Sequence, residues 1–153
     1  MRTSAIYFPV SLVILVCLPA DAENYCFNEA GLKYGISPAL LKAISDIESN
    51  SNVFAINYNK LSHSIDVGHM QVNDFWQKHL GENYEKLFDA CYCTMVGAWI
   101  LKRCISRYGY NWDAVACYHT GYGLSDAKSS LKRKNGLAYI KKIKQKLSET
   151  DDR

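Results

Sequence analysis

The segment from Ser37 to Asn50 carries the strongest helix signal in this chain of 153 residues. Ser37 occupies an N-cap position, and Pro38 after it is a residue favoured at the first position of a helix. From Ala39 onwards, apolar residues recur at intervals of three and four and define a stripe about 120° wide. This pattern predicts an amphipathic helix whose buried face is formed by Leu40, Leu41, Ile44 and Ile47.

Glu48 falls inside this apolar stripe, whereas Asp46 and Lys42 fall on the opposite face, which we expect to be exposed. A carboxylic acid on a core-facing surface must be paired, lie at a cleft or take up a proton, because loss of solvation disfavours its charged form. A general acid that works near neutral pH needs such an environment. Glu48 is therefore a candidate general acid. The alternative is a residue at the helix end that reaches solvent or caps a neighbouring backbone.

A second carboxylate, Asp66, lies in the polar segment from Ser51 to Val72, which is rich in Asn, Ser and Gly. The segment predicts a loop or a rudimentary hairpin, in which Asp66 points away from its apolar neighbours Ile65 and Val67. Glycoside cleavage uses two carboxyl groups in unlike surroundings, one as the acid and one as the anion near the developing oxocarbenium ion. Asp66 is a candidate for the second of these. Taken alone, it is more typical of a turn.

The remaining segments with helical periodicity indicate a mainly α chain of short helices. A short helix over Asn28–Tyr34 ends at Gly35, and another follows over Asp74–Leu80. A longer helix is predicted to start at Thr94, and Gly97 within it allows the close approach of a neighbour. Asn111 is expected to cap a further helix that contains Trp112.

The segment from Lys128 to Lys146 contains eight basic residues and no acidic ones, interrupted by apolar residues at helical spacing. We interpret it as a helix docked on the core with a solvated basic face, in preference to a dedicated binding surface. The formal net charge of the chain is +3, from 18 Lys and Arg against 15 Asp and Glu. This balance is too small to indicate nucleic acid as a partner.

Residues 1–22 have the pattern of a secretory signal peptide. Arg2 precedes an uncharged run from Ala5 to Leu18, and the run is followed by the small-x-small triplet Ala20-Asp21-Ala22. The run is shorter than the roughly 20 apolar residues that a membrane-spanning helix needs, which disfavours an uncleaved anchor. Cleavage after the triplet would leave one domain, residues 23–153, without stable insertion in a membrane.

Five cysteines follow the predicted signal peptide, and export would place them where disulfides form. Because five is odd, at least one thiol stays free or pairs outside the chain. A zinc site at Cys91-x-Cys93 is disfavoured, because one intervening residue is fewer than in usual zinc-ligand pairs. We therefore predict disulfides and neither a metal nor a cofactor. The five residues are Cys26, Cys91, Cys93, Cys104 and Cys117.

Three motifs occur in order along the chain: AISDIES from Ala43, GHMQVN from Gly68 and AVACYHTG from Ala114. With these motifs the chain resembles the soluble lytic transglycosylase (SLT) family. It is most similar to the small, single-domain members that accompany bacterial type III secretion systems and related machines. The resemblance runs from about Cys26 to Leu147 and implies a lysozyme-like, goose-type fold. That fold is mainly α, with short helices and at most a rudimentary β-hairpin.

The resemblance also implies which residues form the active site. The catalytic Glu of the family stands at the end of a helix before a Ser, which here are Glu48 and Ser49. The family's Gly-Leu-Met-Gln motif lines the saccharide cleft and corresponds to Gly68, His69, Met70 and Gln71, so a His replaces the usual Leu.

The third motif implies two further residues at the cleft. The family's Ala-Tyr-Asn corresponds to Cys117, Tyr118 and His119, with Tyr118 near the catalytic carboxyl and His119 where Asn contacts substrate. Tyr139 matches a late Tyr that the fold brings back towards the cleft. Cys26 and Cys91 stand where the secretion-associated members have their disulfide, which leaves the other three cysteines unassigned.

The function that the resemblance implies is cleavage of the β-1,4 bond between N-acetylmuramic acid and N-acetylglucosamine in peptidoglycan. A periplasmic monomer in a Gram-negative cell would thereby clear the wall for a type III secretion system or a similar machine, with a periplasmic component of that apparatus as a possible partner. Two alternatives stay open. One is a lysozyme-like hydrolase that uses Asp66, and the other is a non-catalytic peptidoglycan-binding assembly factor.

Overall fold

The computed structural model describes residues 24–151, so the predicted signal peptide lies outside the described residues. The described chain is mainly α, as the sequence predicts, and contains one small sheet. Its helices are α1 (Phe27–Tyr34), α2 (Pro38–Ser49), α3 (Gln77–Leu80), α4 (Ala90–Tyr108), α5 (Trp112–Thr120) and α6 (Ser130–Asp151). Three 3-10 helices are found at Asp74–Trp76, Gly81–Phe88 and Leu124–Asp126. None of the described helices has the length and apolarity needed to span a bilayer.

The second helix has the extent that the sequence predicts, and its apolar stripe is buried. Leu41 and Ile44 are fully buried. Ser37 stands at the N-cap, but its side chain makes no capping hydrogen bond. Its backbone N–H instead donates to the hydroxyl of Tyr110, 3.0 Å away. The helix ends at Ser49, and the C-cap residue Asn50 has a left-handed conformation with φ 54°.

The fourth helix starts one turn earlier than the sequence predicts, so the expected start at Thr94 is wrong. Asp89 is the N-cap, and its carboxylate accepts a hydrogen bond from the backbone N–H of Tyr92 at 2.7 Å. Thr94 is fully buried inside the helix, where its hydroxyl donates to the carbonyl of Ala90 at 3.1 Å. Asp and Thr are both capping residues, and Asp is the stronger of the two.

The polar segment after α2 folds into a three-stranded antiparallel sheet rather than a simple hairpin. The strands are β1 (Ile56–Asn59), β2 (Ser64–Val67) and β3 (Val72–Asn73), with β2 in the centre. Asp66 lies opposite Asn57 on one side and Asn73 on the other. Since side chains alternate along a strand, polar residues share one face of the sheet and Ile65 and Val67 share the other.

The long helix α4 organises the core. It packs against α1, α2 and α5, and α6 packs across α2 and α5. Leu101 of α4 and Ile143 of α6 are fully buried in the resulting cluster. Gly97 of α4 contacts the side chain of Met70, where an added Cβ would come within 2.6 Å. This arrangement brings the C-terminal end of α2 together with α5, α6 and the loop after β2.

Two disulfides are present among the described residues. The Cys26–Cys91 bond joins the start of α1 to α4, which confirms the pairing that the family resemblance implies. Cys104–Cys117 joins α4 to α5, a pairing that the sequence left open. Cys93 is a free, buried thiol, and burial raises its pKa to about 12. It is therefore neutral at physiological pH.

Replacement of both Cys104 and Cys117 by Ser should destabilise the fold. The disulfide closes a loop in the unfolded chain and lowers its conformational entropy, and this restriction is lost in the variant. The two residues are 13 positions apart. The chain-entropy relation gives about 3 kcal/mol for a loop of this length. Urea unfolding of the oxidised parent and the double variant measures the difference. An unchanged free energy of unfolding would contradict the prediction.

Candidate active site

Glu48 lies near the end of α2, and its side chain is 13% exposed. One carboxylate oxygen, Oε1, is 3.5 Å from Nδ1 of His119, which lies near the end of α5. The apolar stripe on which the sequence places Glu48 is packed against α4 and α6. The carboxylate therefore stands at the border between the core and the surface, as a candidate general acid requires.

Tyr139 and His119 form one wall beside Glu48. Their rings are stacked, with centroids 4.2 Å apart and planes 4° from parallel. Tyr139 is 4% exposed, and its hydroxyl lies near Glu48 without a hydrogen bond of good geometry to any described residue. Burial raises the pKa of Tyr139 well above its ordinary value, and the charge of Glu48 adds to the shift. This neutral phenol is a hydrogen-bond donor available to Glu48 or to a substrate oxygen.

Tyr118 lies between the helical part of the site and the loop after β2. Its hydroxyl donates to the carbonyl of Met70 at 2.7 Å. Burial raises the pKa of Tyr118 well above its ordinary value, and the negative charges of Glu48 and Asp66 add to the shift. Both carboxylates predicted to act in catalysis are therefore close enough to act electrostatically on one phenol. Tyr118 fixes the loop while remaining protonated.

The conformation of the loop from Gly68 to Gln71 is fixed by close packing at Gly68 and by a hydrogen bond within the loop. Gly68 has φ 74°, and an added Cβ would lie 2.5 Å from the carbonyl oxygen of Leu87. The side chain of Gln71 donates to the carbonyl of Gly68 at 2.9 Å. The Met70 side chain is fully buried in the core, so it is the Met70 carbonyl that meets Tyr118. Of this motif, the partly exposed Gln71 is the residue nearest to solvent.

Asp66 is held on the polar face of the sheet by two amides. Its Oδ2 accepts from Nδ2 of Asn59 and its Oδ1 accepts from Nδ2 of Asn73, both at 2.7 Å. Ser64 accepts from the same two amides, at 3.3 and 3.0 Å. Both oxygens of the carboxylate are thus oriented, which is the arrangement expected for an anion with a fixed position. Its charge also raises the pKa of the partly buried Tyr84, after burial and Asp74.

Asn59 and Ser64 are residues of this cluster that the sequence alone does not single out. The strand register could have indicated Asn59. Asp66 of β2 pairs with Asn57 of β1, and Asn59 lies two residues further along β1, so its side chain is on the same face of the sheet as Asp66. Asn73 enters the sequence analysis only as the last residue of the GHMQVN motif. Neither pairing is visible before the strands are aligned.

Ser49 and His69 connect the end of α2 to the loop. The hydroxyl of Ser49 donates to the backbone carbonyl of His69 at 2.9 Å. The His69 side chain is fully buried and points towards Ser45 of α2 and Ala90 of α4. The replacement of the family's Leu by His69 therefore adds a buried polar group to the support of the site, not to its surface.

Asp46 departs from its predicted environment. The expectation of an exposed residue is wrong, because its side chain is only 15% exposed. The amine of Lys146, on α6, lies 3.2 Å from its Oδ2, and the hydroxyl of Ser51 donates to its Oδ1 at 2.6 Å. Since α6 packs across α2, it covers part of the face that the periodicity of α2 assigns to solvent.

The fold agrees with what comparison of the sequence with known families finds. The model of the transglycosylase SLT domain matches residues 25–143. The chain belongs to this family. The SLT domain has a lysozyme-like, mainly α fold, which is the architecture described above.

Relatives of this SLT-domain chain come from enteric bacteria. It is 38% identical to "Protein IpgF" of Shigella sonnei over 124 residues, covering 78% of this chain and 81% of the relative. It is 35% identical to "Invasion protein IagB" of Salmonella typhimurium (strain SL1344), with 90% and 83% covered. It is 31% identical to a "Peptidoglycan-binding-like protein" of Escherichia coli O157:H7, with 94% and 90% covered.

The described residues thus place Glu48, Tyr118, His119 and Tyr139 together, with Ser49 and the Gly68–Gln71 loop beside them. The catalytic and substrate-binding roles of these residues stay predictions. Among residues 24–151 no cluster of His, Cys, Asp and Glu side chains has the arrangement of a metal site.

Proposed function

We propose that this SLT-domain protein is a lytic transglycosylase that cleaves the β-1,4 bond between N-acetylmuramic acid and N-acetylglucosamine. The observation that supports this most is the position of Glu48, a largely buried carboxylate at the end of α2 that faces two tyrosines and His119. The Glu48-Ser49 pair also stands at the corresponding point of the family's motif. A protein that only binds glycan does not need an acid in such a setting.

In the proposed reaction, Glu48 first acts as the acid. It transfers its proton to the bridging oxygen, the bond from C1 of the muramoyl sugar to that oxygen breaks, and N-acetylglucosamine leaves with a free hydroxyl. Glu48 then acts as the base and takes the proton of the C6 hydroxyl of the same muramoyl sugar. The C6 oxygen forms a new bond to C1, which gives a 1,6-anhydro end. No water is consumed, and Glu48 regains its proton.

Asp66 is proposed to stabilise the positive charge that develops at C1. The two amides fix its carboxylate, and Asp66 and Glu48 both act electrostatically on Tyr118. The same geometry supports the second candidate function, in which Asp66 assists a water molecule and the enzyme hydrolyses the bond as a lysozyme does.

Asp66→Asn should slow cleavage at least about tenfold, because it removes a negative charge that stabilises the developing oxocarbenium ion. The measurement is the initial rate of fragment release from purified sacculi. Asp74→Asn is the matched control, since Asp74 is a neighbouring carboxylate whose Oδ2 accepts from the backbone N–H of Ile65 at 3.0 Å. Equal rates for the two variants would assign Asp66 to the structure of the sheet alone.

The products distinguish the proposed function from the alternatives. The experiment is mass spectrometry of the soluble fragments that the mature protein releases from sacculi. Anhydromuramoyl ends, lighter by one water than reducing ends, would support the transglycosylase. Reducing ends would support hydrolysis with Asp66. Binding to sacculi without any fragments, from folded and oxidised protein, would support the non-catalytic assembly factor.

The cellular setting is part of the proposal. Two disulfides in the described chain are typical of an exported protein, and peptidoglycan as substrate places its action in the periplasm. A role in opening the wall for a secretion apparatus is supported by the relative named as an invasion protein. Measurement of secretion in cells that carry only a Glu48→Gln copy would test that role.

A further inference from the structure

A surface pocket of about 390 Å³ lies between the end of α4, the segment after α5 and the start of α6. Its basic side chains are exposed, and they outnumber its acidic ones by three to one. A concave surface with an excess of positive charge attracts anions. The lining residues are Arg107, Tyr122, Asp126, Lys128 and Lys132.

The carboxylate of this pocket already has partners. Oδ2 of Asp126 accepts from the guanidinium of Arg107 and from the hydroxyl of Tyr108, both at 2.7 Å. The hydrogen bond from Tyr108, and then the charge of Arg107, lower the pKa of Asp126 below its ordinary value. In contrast, neither Lys128 nor Lys132 forms an ion pair with a described side chain. The two lysines are therefore the charges that an incoming anion would neutralise.

The walls of the pocket are closely packed. An added Cβ on Gly123 would lie 2.8 Å from the ring of Tyr108, and one on Gly136 would lie 2.7 Å from the side chain of Leu124. The guanidinium of Arg133 donates to the carbonyl of Leu124 at 3.0 Å. These contacts hold the segment after α5 against both α4 and α6. None of them involves Lys128 or Lys132, so replacement of the two lysines should leave the fold intact.

Tyr122 forms the aromatic part of the pocket. Its ring is partly buried, and Nζ of Lys132 lies 5.3 Å from the ring centroid, which is a cation–π contact. The carbonyl of Tyr122 lies 2.7 Å from the hydroxyl of Thr120, which fixes the chain just after α5. An ammonium group has three hydrogens to donate. The contact with the ring thus orients Lys132 and leaves it hydrogens for an anion.

The pocket adjoins the candidate active site along α5 and α6. Tyr122 follows His119 by three residues at the end of α5. Lys132 precedes Tyr139 by seven residues on α6. Seven residues are about two helical turns, so these two side chains lie on the same side of α6, about 10 Å apart along its axis. A ligand held beside Glu48 therefore has the pocket within reach of its substituents.

We propose that this pocket binds the carboxylates of the peptides that peptidoglycan carries, so that the protein prefers peptide-bearing strands to bare glycan. Each N-acetylmuramic acid residue is joined through its lactyl group to a short peptide with free carboxylates. An extended peptide of about four residues spans about 13 Å, which is sufficient to reach the pocket from a neighbouring sugar site. The inference rests on the proposed function, because that function brings the glycan strand to Glu48.

The double variant Lys128→Gln/Lys132→Gln should raise KM for peptide-bearing strands about threefold to tenfold and leave kcat unchanged, because the peptide is bound equally before and during bond cleavage. On strands from which an amidase has removed the peptides, KM of the parent and the variant should be equal. Lys141→Gln/Lys142→Gln is the matched control, because it removes two exposed charges from α6 outside the pocket. It should keep the parent's KM on both substrates.

Chemical modification of the strands identifies the group that is bound. Conversion of the peptide carboxylates to amides should raise KM of the parent as far as the Lys128→Gln/Lys132→Gln substitutions do, and it should not change KM of that variant further. An unchanged preference for peptide-bearing strands in the variant would overturn the inference. An equal rise of KM on stripped strands, or in the control variant, would also overturn it, since the effect would then not depend on the peptide or on the pocket.

A binding measurement makes the test independent of cleavage. Glu48→Gln protein, with and without the substitutions at Lys128 and Lys132, is titrated with both kinds of strand. Weaker binding of peptide-bearing strands alone supports the pocket, whereas a parent that releases no fragments from either strand contradicts the proposed function. Vesicles of phosphatidylglycerol are the second probe. Vesicle binding that needs the two lysines, with equal binding of both kinds of strand, would assign the pocket to lipid phosphate and overturn the inference.

Discussion

Replacement of Glu48 by Gln should reduce the release of fragments from peptidoglycan by about 10²- to 10⁴-fold, the range that general acid–base catalysis contributes. Gln keeps the size of the side chain and its position against His119, but it has no proton to give to the bridging oxygen. The measurement is the initial rate of fragment release at the pH optimum of the parent. Glu29→Gln, on the exposed side of α1, changes the charge equally and should leave the rate unchanged.

The same variant separates an enzyme from a binding protein. Glu48→Gln should still sediment with sacculi, because the tyrosines and the Gly68–Gln71 loop are intact. Loss of fragment release with retained sedimentation supports catalysis by Glu48. A parent and variant that release fragments at the same rate would contradict the assignment of Glu48.

Gly68→Ala should destabilise the fold by about 2–5 kcal/mol. A non-glycine residue at φ 74° costs about 1–2 kcal/mol. The new Cβ would also lie 2.5 Å from the Leu87 carbonyl oxygen and 2.7 Å from the sulfur of Cys93. Both atoms belong to the packed interior, and relieving such overlaps adds about 1–3 kcal/mol.

Gly35→Ala is the matched control for this stability measurement. Gly35 has φ 65°, but no atom lies within 4 Å of the position of its Cβ. This variant should lose only the conformational contribution, about 1–2 kcal/mol. Chemical unfolding of both variants therefore separates two contributions to the loss of stability at Gly68: the backbone strain of a non-glycine residue at positive φ, and the steric overlap of the new Cβ with Leu87 and Cys93. Equal losses would mean that the loop after β2 moves away from Leu87 without difficulty.

Features that lie within one element are the ones that the sequence predicts well. The periodicity of α2 is enough to place Glu48 on its buried stripe, and Asn111 caps α5 as its position indicates, accepting from the backbone of Asp113 and Ala114. The start of α4 predicted from the sequence is one turn too late, because two residues that can cap a helix, Asp89 and Thr94, lie close together. Capping preference alone does not determine which of them begins the helix, since this also depends on how the helix packs.

Features that depend on two distant elements could not be predicted in this way. The environment of Asp46 depends on α6, which crosses α2 about a hundred residues later in the chain. The stacking of His119 on Tyr139 and the Cys104–Cys117 bond likewise join separate helices. Family resemblance supplied the approximate place of Tyr139 and the Cys26–Cys91 bond, but it contained no information on His69, where this chain departs from the family.

The packing of α6 across α2 has a consequence for a protein that emerges from a membrane channel with its N-terminus first. Glu48 emerges early, but the ring of Tyr139 and the amine of Lys146 follow only with the last part of the chain. Until then Glu48 lacks its aromatic wall and Asp46 lacks its cation. Under the proposed export and function, this order of emergence delays assembly of the site until nearly the whole polypeptide has left the channel, and cleavage of the wall would begin only then.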